Sequence, residues 1–95
     1  MGHYRNVAVE TYRNPGERSS ASLRARLLPG QGLSTEMKVE FSRRIREAHP
    51  QGTVFIIQAQ VTDRQGTPFV YSSYQWACEV VPRATAIARI AAGTL

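Results

Sequence analysis

Apolar and polar residues alternate at period two along several stretches of this chain, and one stretch between them repeats at helical spacing. From Tyr4 to Arg13, Val7, Val9 and Thr11 fall on one side and Ala8, Glu10 and Tyr12 on the other, which predicts a strand. Asn14-Pro15-Gly16 stops it, because proline fixes φ and glycine accepts a positive φ. Ser19 to Leu28 then sets Ala21, Leu23, Ala25 and Leu27 against Ser20, Ser22, Arg24 and Arg26. That run pairs naturally with the first as a hairpin, with a short helix as the alternative, since its leucines, alanine and arginines are good helix formers. Pro29-Gly30-Gln31-Gly32 ends it either way.

The helical spacing follows. Ser34 or Thr35 reads as an N-cap, with Glu36 suited to the positive end of a helix dipole. Met37, Phe41, Ile45 and Ala48 recur on one stripe, and Lys38, Glu40, Arg43 and Glu47 fall on the opposite, wet face. His49-Pro50 closes this long helix, because the residue before proline is pushed out of the α region. Met37 to Phe41 also alternates, so a strand leading into a shorter helix is the competing reading of the same residues.

Thr53 to Asp63 is the strongest strand signal, with Phe55, Ile57, Ala59 and Val61 on its buried face and Gln58 and Gln60 on its wetter one. Asp63 to Thr67 forms a hairpin loop, and Phe69 to Trp76 returns as the partner, with room to run on to Val81 before Pro82. Arg83 to Ala92 then reads as a short apolar helix with Ala84, Ile87, Ile90 and Ala91 near one face and Gly93 past its end. The order ββαββα predicts one α+β domain over residues 1–95. It is a mainly antiparallel sheet with the long helix and the short C-terminal helix packed on one face. The sheet's other face is then left for solvent, a partner or a ligand.

Composition narrows this picture. A chain of 95 residues with a hydrophobic fraction of 42% has a thin core, so self-association into a homo-oligomer is expected. No apolar run approaches a membrane span, the first residues Met1-Gly2-His3-Tyr4-Arg5 carry no signal region, and Cys78 stands alone, so the expected setting is cytoplasmic. Net charge is +5, and Lys38 is the only lysine among the twelve basic residues. Arginine bias suits bidentate phosphate contacts, yet a G+C-rich genome produces it too. The basic balance keeps nucleic acid open as a partner.

Candidate chemistry is sparse. His3, His49 and Cys78 lack metal-ligand spacing, so no metal and no cofactor is expected. Cys78, His49 and Asp63 are the elements of a nucleophilic triad with nothing local to link them, and a lone cysteine is usually a small buried hydrophobe. The carboxylates Glu36, Glu40 and Glu47 fall on the solvated helix face, and Gly30-Gln31-Gly32 matches no phosphate loop. His49, at a helix C-terminus, is the titratable group of most interest, with capping of the last carbonyls as its bland role. Phe69 to Trp76 holds four of the eight aromatic residues, with Phe69 and Tyr71 on one side of a regular strand and Tyr74 and Trp76 on the other. One helix layer cannot bury both sides, so Tyr71, Tyr74 and Trp76, with Arg64 near them in sequence and His49 from the helix end, are the candidate binding residues for a protein or small ligand. Arg43, Arg44 and Arg46, with Lys38 one turn earlier, form the densest basic cluster and the candidate phosphate contacts of a nucleic-acid reading. The interleaved Glu36, Glu40 and Glu47 fit an ordinary solvated face as well.

The block from Phe41-Ser42-Arg43-Arg44-Ile45-Arg46-Glu47-Ala48-His49-Pro50 through Gly52-Thr53, Asp63-Arg64, Pro68-Phe69 and Tyr71 to Trp76 covers a little over a third of the chain. In size and style it resembles the orphan bacterial proteins carried on mobile integron gene cassettes, a resemblance that implies a bacterial origin and a stand-alone, often oligomeric protein, but no site. The leading reading is a small interaction module that self-associates and is not an enzyme. Nucleic-acid binding through an arginine-rich helix is the alternative, and a pocket enzyme using His49 the second.

Overall fold

The computed structural model describes residues 4–13, 16, 23–64 and 66–95. The expected turn residues Asn14 and Pro15 and the start of the second strand, Ser19 to Ser22, lie outside them, as does the side chain of Arg64. Among the described residues six strands and two short helices follow in the order β1 (Tyr4–Tyr12), β2 (Arg24–Leu27), β3 (Val39–Glu40), α1 (Arg43–Glu47), β4 (Val54–Arg64), β5 (Thr67–Tyr71), β6 (Cys78–Val81) and α2 (Arg83–Ala92). The sheet runs β2-β1-β4-β5-β3, with β6 also on β4. All pairings are antiparallel except β3 with β5. The sheet curls until β2 and β3 approach each other, which makes it a nearly closed, mostly β barrel.

This overturns the expected α+β arrangement with one long helix. Residues 34–38 are turn and extended chain, β3 follows, and α1 spans only five residues. Val39 decided the outcome. It is buried with Phe41, and Met37 packs against the same core, so the period-two face of Met37-Val39-Phe41 points inward. A helix would have turned Val39 away from Met37 and Phe41 toward water. Ser34 caps no helix. Its carbonyl and hydroxyl accept from Met37 and Glu36 in a local turn, and the N-cap is Ser42, whose Oγ accepts from the Ile45 N–H at 3.3 Å.

Two cores hold the fold, one on each side of β1 and β4. Val7, Val9, Leu27, Phe55, Ile57 and Val70 fill the barrel interior. Ala8, Val54 and Ile56 project outward and are covered by α2 through Ala86 and Ile90. With both faces of β4 apolar at this end, curling the sheet supplies the cover that a long helix was expected to give. Val61, expected on the buried face, lies toward the far end of β4 and is 36% exposed. The C-terminal helix has the expected bounds but a different roll. Ala86 is fully buried, whereas Ile87 is 51% exposed. Ion pairs from Arg83 to Glu10 and from Arg89 to Glu79 tie it at both ends and set that roll.

The ladder between β1 and β2 is extended by a side chain. Beyond Leu27 the chain turns away, and the Gln31 carboxamide takes the place of a peptide group against β1. Its Oε1 accepts from the Ala8 N–H at 2.7 Å, and its Nε2 donates to the carbonyls of Ala8 at 2.9 Å and Leu28 at 2.7 Å.

Candidate functional site

Return strand Phe69 to Val81 is interrupted. β5 pairs with the far half of β4, β6 with the near half, and Ser72–Ala77 loops out between them. Both ends of the loop are pinned to Gln58, whose carbonyl accepts from Ser72 Oγ at 2.7 Å and whose N–H donates to Ala77 at 2.9 Å. A regular strand would have put Tyr71 and Trp76 on opposite faces. The loop instead brings Trp76 back over the outer face, onto Tyr71.

Gln60 stands opposite Tyr4 of β1 and Tyr71 of β5, and directly opposed residues share a face. Trp76 meets both tyrosine rings edge-on, at 5.0 Å and 81° for Tyr4 and at 5.4 Å and 89° for Tyr71. These three rings form a ridge on the part of the outer face that α2 leaves uncovered. Tyr4 also walls a hollow of about 520 Å³ beside the C-terminal end of α2, lined by Arg5, by the opposed amides Asn6 and Gln58, and by Gln31. Tyr71 walls a second hollow of about 500 Å³ with Arg44, Ser73, Glu40 and Tyr74. Arg5 is held in place by donating to the Gln31 carbonyl at 2.7 Å. Tyr74 is 70% exposed, its hydroxyl accepting from Gln75 Nε2 at 3.0 Å.

Of the residues singled out in the sequence, Tyr71, Tyr74 and Trp76 gather here, and Arg44 joins them. The other basic residues do not. Arg43 pairs with Glu47 at 3.3 Å, and Lys38 with Glu40 at 3.5 Å. Arg46 turns inward, donating from Nε to the Leu23 carbonyl at 2.7 Å and from Nη1 to the Phe41 carbonyl. Burial lowers its proton affinity, with Glu47 opposing and Arg43 adding to the effect. β4 ends at Arg64. His49 packs edge-on against Phe55 at 5.3 Å. Asp63 lies eight residues further along β4 than Phe55, roughly 26 Å at strand rise, so His49 and Asp63 share no cleft. Cys78, expected as a small buried hydrophobe, is exposed opposite Ile57, and partial desolvation pushes its thiol up from the ordinary cysteine range. Among the described residues no cluster of three or more His, Cys, Asp or Glu side chains has metal-binding geometry, and no helix is long and apolar enough to cross a membrane.

Tyr4, Arg5, Asn6 and the Gln58/Gln60 pair stand in the site although no motif in the sequence marks them. Gln58 and Gln60 were legible as the wet side of β4. Tyr4 and Asn6 join them only through the β1–β4 register. Comparisons with protein-family models, with curated proteins and with solved structures gave no match. The arrangement of the face therefore carries the functional argument alone.

Proposed function

We propose that this chain is a non-enzymatic binding module that takes single-stranded nucleic acid across the Tyr4–Trp76–Tyr71 ridge. The observation behind this reading is the three-ring row on an open sheet face, flanked by amides and by Arg5 and Arg44. Aromatic side chains on an open sheet stack bases of any sequence, and amides and arginines supply contacts to base edges and phosphates. The net charge of +5 favours a polyanion over a neutral oligosaccharide. In this reading Arg44 is the one residue of the arginine-rich helix at the contact surface, because Arg46 turns into the fold and Arg43 pairs with Glu47.

The test is anisotropy of labelled single-stranded DNA and RNA at about 50 and 200 mM salt, where neutralising several phosphates costs orders of magnitude in affinity. Salt-steep binding that weakens by about tenfold or more in Tyr4→Ala and Trp76→Ala supports the proposal, at about 1–3 kcal/mol per stacked base. Binding indifferent to both substitutions refutes it.

Self-association is the second reading, favoured by the exposed Ile87 and its outward neighbours Ala84, Ala88 and Ala91 on α2. Sedimentation equilibrium showing a dimer that Ile87→Glu dissociates supports this reading, and a monomer at all practical concentrations rejects it.

A further inference from the structure

The strand order ends at β2 on one side and β3 on the other, so the gap lies between the two edge strands, whereas the ridge crosses the middle strands β1, β4 and β5. Peptide groups of successive strand residues point to alternate edges. The Leu28 N–H donates to the Ala8 carbonyl at 3.1 Å, so Arg24 and Arg26 direct their peptide groups at β1 and Ala25 directs its own at the gap. On β3, the Lys38 and Glu40 carbonyls accept from Val70 at 2.9 Å and Ser72 at 2.8 Å, which turns the Val39 peptide toward the gap as well. Among the described residues no ladder joins β2 to β3, and the Arg46 guanidinium spans the gap instead, from Leu23 to Phe41.

Over this gap lies a hollow of about 580 Å³. Arg24, Arg26, Lys38 and Arg46 line it with Glu36, and Arg26 and Lys38 are also paired with Glu10 at 3.2 Å and Glu40 at 3.5 Å. Its floor is apolar, from Ala25 and Val39, and Tyr12 forms a wall with the Arg26 guanidinium 4.8 Å from its ring centre. A rim with more cations than carboxylates, and peptide N–H groups turned toward the gap beside an apolar, aromatic-walled floor, suits a ligand with a negatively charged head and a flat apolar body. The volume falls in the range of small-molecule sites.

We propose that this seam hollow binds a small organic phosphate of the nucleoside monophosphate type. The phosphate is held by Arg24 and Lys38 with the Ala25 and Val39 N–H groups, and the ring lies against Tyr12 and the floor. Arginine and backbone N–H groups are the donors best matched to phosphate oxygens. The site shares no lining residue with the ridge, although its Lys38 pairs with Glu40 of the hollow beside Tyr71.

The test titrates the full chain with AMP, adenosine and inorganic phosphate at low salt, read by calorimetry and by amide chemical shifts. AMP is expected to bind at least about tenfold tighter than either fragment, a difference of about 1.4 kcal/mol, and to move the Ala25 and Val39 amides. The variant Arg24→Gln/Lys38→Gln is expected to lose at least about tenfold of that affinity, and Lys38→Gln alone, at a side chain 74% exposed, serves if the double variant does not fold. The proposal is overturned by AMP binding no tighter than phosphate, by unmoved Ala25 and Val39 amides at about 10 mM ligand, or by unchanged affinity in the variants. Trp76→Ala should leave AMP binding intact. Its loss there would assign the ligand to the ridge and overturn the seam site without touching the nucleic-acid reading.

Discussion

Replacing Gln31 by leucine keeps the volume close and removes every hydrogen-bonding atom of the side chain. Gln31 is 7% exposed, and Ala8, whose N–H it accepts, is fully buried. In Gln31→Leu the Ala8 N–H loses its acceptor and the Leu28 carbonyl its donor, while the Ala8 carbonyl keeps its bond from the Leu28 N–H. One buried orphaned donor and one orphaned acceptor, at about 1–3 kcal/mol each, less the gain from burying an apolar side chain, predict a net loss of about 2–4 kcal/mol. For a domain of this size that lowers the melting temperature by roughly 10–25 °C. Urea unfolding followed by far-ultraviolet circular dichroism measures it directly, with a shifted midpoint and an unchanged slope. Gln31→Glu adds a pH signature. An ionised carboxylate can accept from Ala8 but faces two carbonyls it cannot donate to, so its folded-state pKa is raised above the unfolded value. Its contribution is then present below the ordinary glutamate range and lost as pH rises through the raised value. The reasoning fails if Gln31→Leu costs under about 0.5 kcal/mol, or if Gln31→Glu is no better at acid pH than wild type scaled to the same conditions.

Three further outcomes follow from particular contacts. Arg46→Gln removes the bridge between the Leu23 and Phe41 carbonyls, and the half-buried position sets the expected loss at about 1–3 kcal/mol, with hydrogen exchange accelerated first at β2 and β3. Gly30→Ala places a Cβ at a φ of +92° and 3.2 Å from Ile90 Cγ2, and chemical denaturation should show a loss of about 1–3 kcal/mol. Cys78, though exposed, should react with iodoacetamide along a pH profile displaced above that of a free cysteine, because partial desolvation disfavours its thiolate; an unshifted profile would contradict that.

How far the fold was legible depended on whether a residue's partner was local. The alternation in β1 and in the described part of β2 needed only neighbouring residues, and Val7, Val9, Leu23, Ala25 and Leu27 point inward as their pattern required. Met37, Phe41 and Ile45 satisfy a helical stripe and a strand followed by a turn of helix equally well. Only the burial of Val39 separates the two, and that depends on β5 pairing with β3 through Val70. The closure of the sheet was hidden because its devices are single side chains acting at long range: Gln31 on Ala8 and Arg46 on Leu23, each spanning 23 positions. Two of the ridge's three rings, Tyr71 and Trp76, were visible in the aromatic run. The arrangement of the ridge was not, since the Ser72–Ala77 loop that turns Trp76 onto Tyr71 is pinned by Gln58 from another strand.

Trp76 is the only tryptophan in the chain and stands in the middle of the ridge, so its own fluorescence reports on the proposed surface without a label. The most direct measurement is a titration of the wild-type protein with unlabelled single-stranded oligonucleotide at about 50 mM salt, repeated at about 200 mM. The account predicts saturable quenching of Trp76 that weakens steeply with salt. Oligonucleotide binding that leaves the Trp76 emission unchanged, or no binding at all at the lower salt, would contradict it.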